Sequence, residues 1–274
     1  MTTALELHNI AARLATEAGE LISNGRAQAH VTATKSSHID IVTQMDIAAE
    51  RLLRERLAHV RPEDSILGEE GRDVVGTSGV TWVLDPIDGT VNYLYGLPHY
   101  AVSVAAVTGG ADPTTWTALA GAVYDGSGVL WSAARGHGAW CDGLAMKRTE
   151  APPLDATLLA TGFQYVAERR TAQGRIVAEM LGSVRDIRRL GAASVDLCLV
   201  AAGHIDAYYE HGLKPWDHAA GALIATEAGV KVAGIDGGPA DDHLLIAAMP
   251  ETWDALRDAL DKAGAREPWT QESV

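Results

Sequence analysis

Two aspartates flank a proline in the segment Asp85-Pro86-Ile87-Asp88-Gly89-Thr90. The apolar run at 82–84 predicts a buried strand that ends at the first aspartate. The proline fixes its own φ and donates no hydrogen bond, so a sharp turn is expected there and the two carboxylates can converge. A helical turn beginning after the second aspartate would present free N–H groups to a phosphate. Carboxylates beside an anion site indicate a bridging divalent metal such as Mg²⁺.

The same segment is also typical of an ordinary turn, because Asp, Pro and Gly are the residues that turns use most. Short motifs match by chance, so this alternative stays open from the segment alone. The choice depends on whether other acidic residues can reach the same place.

Three further acidic positions could join this pair. Glu69 follows a short apolar run within Gly68-Glu69-Glu70-Gly71, where a solvated loop is the alternative. Asp46 lies three residues after Thr43, a spacing that a helix cap also explains. Asp217 stands in the first turn of a predicted helix, where it could likewise be a cap. The small residues at 219–221 would let that helix pack closely against a sheet and bring Asp217 near the other acids.

Composition limits the partners and the compartment. The chain has 274 residues and a formal net charge of −14, which argues against direct contact with nucleic acid. The ten histidines show no zinc-type spacing. Cys141 and Cys198 do not make a disulfide framework, and neither stands in a pattern that would activate it, so both are expected to be structural.

No signal peptide and no apolar run of about 18 residues is found in the sequence, so we expect a cytoplasmic protein without a membrane partner.

The order of predicted elements indicates two different halves. Residues 1–145, roughly, contain two amphipathic helices, the first opened by a Thr3–Glu6 capping box, and strands at 100–107, 116–124 and 129–133. This is an α+β pattern with an antiparallel-leaning sheet. Residues 146–274 alternate strands and helices, which predicts an α/β half with a mixed sheet. We expect a single domain over residues 1–274.

Taken together, these motifs resemble the inositol monophosphatase family. The resemblance rests on Gly68-Glu69-Glu70, on the Asp85–Thr90 segment and on Trp216-Asp217-x-Ala219-Ala220-Gly221, in that order along the chain. The segments 191–194 and 206–210 are also similar to that family, so the resemblance covers nearly the whole chain. It implies a layered αβαβα sandwich of the sugar-phosphatase type. It also implies a Mg²⁺-dependent, lithium-sensitive phosphomonoesterase that forms a homodimer.

The resemblance also implies a metal-ligand set. Glu69, Asp85 and the Ile87 carbonyl would bind a first Mg²⁺, and Asp85, Asp88 and Asp217 a second. Lys35 matches a mobile loop near a third metal position, so two or three Mg²⁺ are expected per site.

The catalytic and substrate-binding residues follow from the same resemblance. The implied catalytic residues are Thr90, which would orient the attacking water, Asp46, which would support it, and Glu69. The amides of Gly89 and Thr90 would hold the phosphate. Gly191, Ala193 and Glu210 would contact the sugar ring.

Inositol-1-phosphate is the substrate we favour, because the Glu210 carboxylate can hold vicinal ring hydroxyls. Histidinol phosphate, fructose 1,6-bisphosphate and adenosine bisphosphate remain alternatives that share the metal motifs. A bisphosphate needs extra cations near the cleft, and the sequence suggests only Lys35 and Lys214. A different class is a non-catalytic binding partner, for instance of nucleic-acid machinery, with an idle phosphatase site.

Overall fold

The computed structural model describes residues 2–35, 39–110 and 112–267. Within them the chain forms seven α-helices: α1 (Ala4–Gly25), α2 (Gln44–Val60), α3 (Thr90–Leu94), α4 (Ala167–Met180), α5 (Ala193–Ala202), α6 (Pro215–Glu227) and α7 (Pro250–Lys262). The strands of the first half are β1 (Val31–Thr34), β2 (Ile41–Thr43), β3 (Ser65–Gly68), β4 (Val80–Asp88), β5 (Ala101–Thr108), β6 (Thr117–Asp125), β7 (Leu130–Ala134), β8 (Gly138–Cys141) and β9 (Leu144–Met146). Those of the second half are β10 (Leu158–Thr161), β11 (Asp186–Arg188), β12 (Ala207–Glu210), β13 (Lys231–Ala233) and β14 (Leu245–Ala248).

Strands β3 to β9 form one seven-stranded sheet in sequence order. Only the β3–β4 pair is parallel, and each later strand pairs antiparallel with its predecessor. The five-stranded sheet has the order β11-β10-β12-β14-β13, in which β10 is parallel to both neighbours and β14 antiparallel to both of its own. The prediction of one antiparallel-leaning sheet and one mixed sheet is confirmed.

Strand β4 shows how the layers form, because its side chains alternate between two cores. Trp82 and Leu84 pack with α1 and α2 on one face of the seven-stranded sheet, whereas Val83 points to the opposite face, toward α5 and α6. This period of two is the ordinary pleat of a strand that is buried on both sides.

Helices α5 and α6 fill the space between the two sheets, and small residues allow their close approach. A Cβ on Gly121 of β6 would lie 2.9 Å from the Ala220 Cα, and one on Gly221 would lie 2.9 Å from the Leu197 Cβ. Helices α4 and α7 cover the outer face of the five-stranded sheet, around Leu159 and Trp253. The resulting layers are αβαβα, as predicted.

One local prediction was wrong. Strand β4 continues through Pro86 to Asp88 and does not end at Asp85, because its pairing with β5 shifts register between the two aspartates. A bulge of this kind tolerates a residue that cannot donate to the ladder. The second helix begins at Gln44, after β2, and its predicted Thr43–Asp46 capping pair is present.

Cys141 and Cys198 are both free thiols. Among the described residues, none of the helices is both long and apolar enough to cross a membrane.

Candidate active site

A single cleft of about 420 Å³ gathers residues from both halves of the chain. Its volume lies in the range of pockets that bind small molecules, which is on the order of 300–1,000 Å³. The residues predicted from the sequence that line it are Lys35, Glu69, Asp85, Ile87, Asp88, Gly89, Thr90, Gly191, Ala193, Glu210 and Asp217. Asp46 lies behind this lining. The elements that meet here are the carboxyl ends of β3, β4 and β12 and the amino ends of α3, α5 and α6.

Asp85 is the centre of the acidic part of the cleft. It is 1% exposed, and its Oδ1 accepts a hydrogen bond from the Ile87 N–H at 3.0 Å. Burial raises its pKa well above the ordinary value, and the charges of Glu69, Asp88 and Asp217 raise it further. Four acids therefore stand close enough to oppose one another's ionisation.

Lys35 lines the cleft and forms ion pairs with Glu69 and Glu70. Its Nζ lies 2.6 Å from Glu69 Oε1 and 2.5 Å from Glu70 Oε1. Burial raises the pKa of Glu69 to about 7, although the Lys35 ammonium acts in the opposite direction.

Asp88 and Asp217 each also accept hydrogen bonds from the start of a helix. Asp88 Oδ2 accepts from the Ser194 N–H at 2.7 Å and from its hydroxyl at 2.6 Å, which caps the start of α5. Burial raises the pKa of Asp88 to about 6, against these two hydrogen bonds. Asp217 is not the N-cap residue of α6; that position is Lys214, whose N–H donates to Asp217 Oδ2 at 2.6 Å. Burial and then the Asp88 charge raise the pKa of Asp217 well above its usual range.

The donor set fits a hard divalent cation. Carboxylate and carbonyl oxygens alone line this part of the cleft, and such ligands suit Mg²⁺ or Ca²⁺ better than softer metals. Mutual repulsion among the four acids is the condition that a divalent charge relieves. In the described part of the chain, no group of three or more His, Cys, Asp or Glu side chains is arranged to hold a metal as it stands. Their oxygens are engaged by Lys35, Ser194 and the Lys214 amide instead.

Thr90 presents a hydroxyl beside these acids. Its Oγ1 lies 2.9 Å from the Ile87 carbonyl and 3.2 Å from Asp46 Oδ1. Asp46 is fully buried and accepts from Thr43 through Oδ2, at 2.8 Å from the N–H and 2.5 Å from the hydroxyl. Gly89, the N-cap of α3, has a left-handed φ of 82°, and a Cβ there would lie 2.8 Å from the His99 carbonyl. Glycine is thus required for this approach.

Glu210 is a further carboxyl group that lines the cleft. It accepts a 2.5 Å hydrogen bond from the Tyr208 hydroxyl, and burial raises its pKa to about 7. A Cβ on Gly162 would overlap the Glu210 carboxyl group, so this glycine makes the space in which the carboxyl group lies. Gly191 and Ala193 also line the cleft.

Two arginine side chains that line the cleft were not predicted from the sequence. Arg189 follows β11 and Arg169 lies in the first turn of α4, and both line the cleft. The Arg189 guanidinium stands 5.9 Å from the Phe163 ring centroid. Among the described residues, neither arginine forms an ion pair with a carboxylate. The Arg188-Arg189 pair, separated from Gly191 by Leu190, was the one available signal.

The five-layer fold and the acidic cleft define an enzyme of the phosphoric monoester hydrolase class. The family model described as the inositol monophosphatase family matches residues 4–263. The inositol-1-monophosphatase of Mycobacterium leprae (strain TN) is 46% identical, over 96% of each chain. Nus factor SuhB of Escherichia coli (strain K12) is 41% identical, over 93% of this chain and 98% of the relative. The solved structure of Mycobacterium tuberculosis SuhB superposes with a TM-score of 0.82 at 43% identity, covering 97% of this chain and all of that one.

The chain therefore belongs to the inositol monophosphatase family, whose members are generally metal-dependent.

Proposed function

We propose that this protein hydrolyses inositol-1-phosphate to inositol and phosphate in a Mg²⁺-dependent reaction. The observation that carries the proposal is that one cleft contains both the four mutually repelling acids and the Glu210 carboxyl group. The four acids suit a divalent metal, which would in turn bind the phosphate. The Glu210 carboxylate suits the vicinal hydroxyls of a ring. The name of the Mycobacterium leprae relative agrees with this substrate.

The metal ligands we assign are those that the sequence suggested. Glu69, Asp85 and the Ile87 carbonyl would hold a first Mg²⁺, and Asp85, Asp88 and Asp217 a second. Lys35 stands where a third ion would compete with its ammonium for Glu69 and Glu70. Bound there, Mg²⁺ would supply Lewis-acid stabilisation of the phosphate and leaving alkoxide, and would favour deprotonation of the attacking water.

The protein's own groups orient the reactants. The Thr90 hydroxyl can donate to Asp46 or to the Ile87 carbonyl and accept a hydrogen bond from the attacking water. Asp46 keeps that hydroxyl in place and does not itself line the cleft. The N–H groups of Gly89 and Thr90 would bind phosphate oxygens. Glu210, with Gly191 and Ala193 beside it, would fix the ring so that its phosphate faces Thr90.

Phosphate release from a panel of substrates tests the proposal. Inositol-1-phosphate should be hydrolysed faster than histidinol phosphate, fructose 1,6-bisphosphate or adenosine bisphosphate, chelation should abolish the activity, and Mg²⁺ should restore it. Li⁺ should inhibit by competing at a metal position. Full activity after exhaustive chelation would contradict the metal dependence, and a faster alternative substrate would replace inositol-1-phosphate.

A second candidate function is binding to a protein partner, since the Escherichia coli relative is named a Nus factor. The net charge of −14 disfavours direct contact with nucleic acid, so such a partner would be a protein. An absence of phosphate release with every substrate and metal tested would favour this function over hydrolysis.

We also propose that the protein is a cytoplasmic homodimer. Exposed apolar side chains in the first half support an interface there: Val75 is 91% exposed, Tyr95 77% and Leu144 75%. Isolated apolar residues on a surface are common, so the proposal also relies on the family membership. Light scattering at micromolar concentration should give twice the monomer mass of 28.9 kDa; a monomer mass would contradict it.

A further inference from the structure

Helix α2 carries a second buried carboxylate one helical turn after Asp46. Glu50 is 2% exposed, and residues four apart lie on the same face of a helix. Its carboxylate accepts three hydrogen bonds, each of 2.7 Å, from the Glu70 N–H, the Gly71 N–H and the Arg54 Nε. Glu50 therefore holds the backbone of the loop that follows Glu69 by hydrogen bonds. Glu50 itself does not line the cleft.

The backbone of the loop packs directly against the Glu50 and Arg54 side chains. A Cβ on Gly68 would lie 2.6 Å from Glu50 Oε1 and from the Arg54 guanidinium, and one on Gly71 would lie 2.7 Å from Glu50 Oε1. Arg54 Nη1 also donates to the Arg72 carbonyl at 2.9 Å, beyond the loop. The loop from Gly68 to Arg72 thus contacts the Glu50–Arg54 pair without an intervening side chain.

The other edge of the loop is attached to the sheet. The Glu69 N–H donates to the Leu84 carbonyl of β4 at 3.3 Å, next to Asp85. Glu69 is therefore held between β4 on one side and, through the next two amides, α2 on the other. A side chain can meet a metal at a fixed point only when its backbone is fixed in this way.

We propose that Glu50 is a positioning residue that holds the Glu69–Glu70 loop in register with Asp85 and so sets the affinity of the site for divalent metal. This inference rests on the proposed function for its link to metal. Asp46, on the same face of α2, accepts a hydrogen bond from the Thr90 hydroxyl. Asp46 and Glu50 are about one helical turn apart, a rise of about 5.4 Å. That turn therefore sets the distance between the Thr90 hydroxyl and the Glu69–Glu70 loop.

The substitution Glu50→Gln separates positioning from mere packing. Gln has nearly the same shape but only one acceptor oxygen, so its amide NH₂ would face either the loop N–H groups or the Arg54 donor. One or more of the three hydrogen bonds is lost, and the loop is released without a cavity. Outer-shell changes of this kind lower metal affinity by about 10- to 100-fold.

The experiment is a Mg²⁺ titration read in two ways on the full chain. Phosphate release gives the half-saturating Mg²⁺ concentration, and thermal melts give the rise in Tm that metal binding to the folded state produces. For Glu50→Gln we expect both midpoints to rise about 10- to 100-fold, with kcat at saturating Mg²⁺ recovering most of the wild-type value. Glu55→Gln is the matched control, because Glu55 is exposed on the same helix and its one ion pair within the described residues is with Arg51 at 3.9 Å.

A second variant, in the loop, tests the same proposal if Glu50→Gln fails to fold. Gly71→Ala keeps Glu50 but places a methyl group against its carboxylate, and the Gly71 φ is not left-handed, so the backbone accepts alanine. We expect the same rise in the Mg²⁺ midpoint. Gly182→Ala is its control, since nothing lies within 4 Å of a Cβ there.

Unchanged midpoints in Glu50→Gln and Gly71→Ala, with only a lower Tm in chelator, would overturn the proposal and leave Glu50 a purely structural residue. If the wild type releases no phosphate, the proposed function fails, but the Tm titration still decides whether Glu50 sets metal affinity.

Discussion

Thr90 and Asp46 are 44 positions apart in the chain, yet Thr90 Oγ1 lies 3.2 Å from Asp46 Oδ1. The contact joins the first residue of α3 to the first turn of α2. Asp46 has no freedom to move, because its other oxygen accepts two hydrogen bonds from Thr43 in the capping box. A cap that stabilises a helix therefore also fixes the direction of a hydroxyl in the cleft.

Thr90→Ala should lower kcat by about two to four orders of magnitude, the range for losing a group that handles the proton of a nucleophile. KM should change little if the hydroxyl acts on the water and not on the substrate. Thr90→Ser keeps the hydroxyl and should retain activity within about tenfold of the wild type, although it loses the methyl group that restricts χ1. Equal losses in the two variants would show that the methyl group and not the hydroxyl matters.

Asp217→Asn distinguishes a metal ligand from a cap. Asn keeps an oxygen that can accept from the Lys214 N–H, so the start of α6 should persist. As a ligand, however, Asp217 loses its charge, and activity should fall by orders of magnitude; Asp88→Asn should behave likewise. Measurements of kcat at several Mg²⁺ concentrations decide this, with the exposed Asp155→Asn as control. Near-normal kcat for Asp217→Asn at moderate Mg²⁺ would leave only the capping role.

The stability of the metal-free protein should depend on pH in a direction set by these acids. The pKa of Glu69 is raised to about 7, that of Asp88 to about 6, and those of Asp85 and Asp217 well above the usual range. A raised carboxyl pKa stabilises the fold below the unfolded value, near 4, and that contribution is lost as the pH rises through the folded value.

In chelator, Asp217→Asn should therefore melt close to the wild type at pH 5 and above it at pH 8. His211 and His218, whose pKa values burial lowers to about 4, act in the opposite direction, since their stabilisation is lost as the pH falls from about 6.5 toward 4. They are present in both proteins and cancel in the difference between the two melting temperatures. A difference that does not grow with pH would contradict the repulsion among the acids.

The acidic residues of the cleft could be predicted from the sequence, but the residue that holds the Glu69 loop in place could not. Glu69, Asp85, Asp88 and Asp217 stand in short motifs that resemble those of the inositol monophosphatase family, and it was this resemblance that implied a shared site. Glu50 could not be predicted, because its role depends on a contact with amides twenty residues away and its own surroundings in the sequence are an ordinary helix. The path of β4 through Pro86 was missed for a similar reason, since pairing with β5 decides it.

Glu210→Gln should change substrate recognition more than turnover. Its carboxyl pKa is raised to about 7, so the wild-type KM for inositol-1-phosphate should fall as the pH rises through that value and the carboxylate becomes the stronger acceptor for ring hydroxyls. Gln removes the titration, so KM should be higher than in the wild type above pH 7 and nearly independent of pH. Steady-state kinetics between pH 6 and 8 tests this. A loss confined to kcat would place Glu210 with the reacting groups and not with the ring.

Arg189 should matter most for substrates that carry a second anionic group. Its guanidinium lines the cleft, stands near Glu210 and Asp88, and has no carboxylate partner among the described residues. A charge-assisted hydrogen bond contributes about 1.5–3 kcal/mol, so Arg189→Ala should lower kcat/KM for fructose 1,6-bisphosphate or adenosine bisphosphate by about 10- to 100-fold. The loss for inositol-1-phosphate, which has no second phosphate, should be several times smaller.

Arg188→Ala is the matched control for this comparison, because Arg188 is the neighbouring residue, pairs with Asp186 at 2.6 Å and does not line the cleft. It should leave both classes of substrate unchanged. The decisive quantity is the ratio of kcat/KM for a bisphosphate to that for inositol-1-phosphate, measured in the wild type and both variants. An unchanged ratio in Arg189→Ala would mean that this arginine does not meet a second phosphate, and that its guanidinium serves only to offset the negative charge of Glu210 and Asp88.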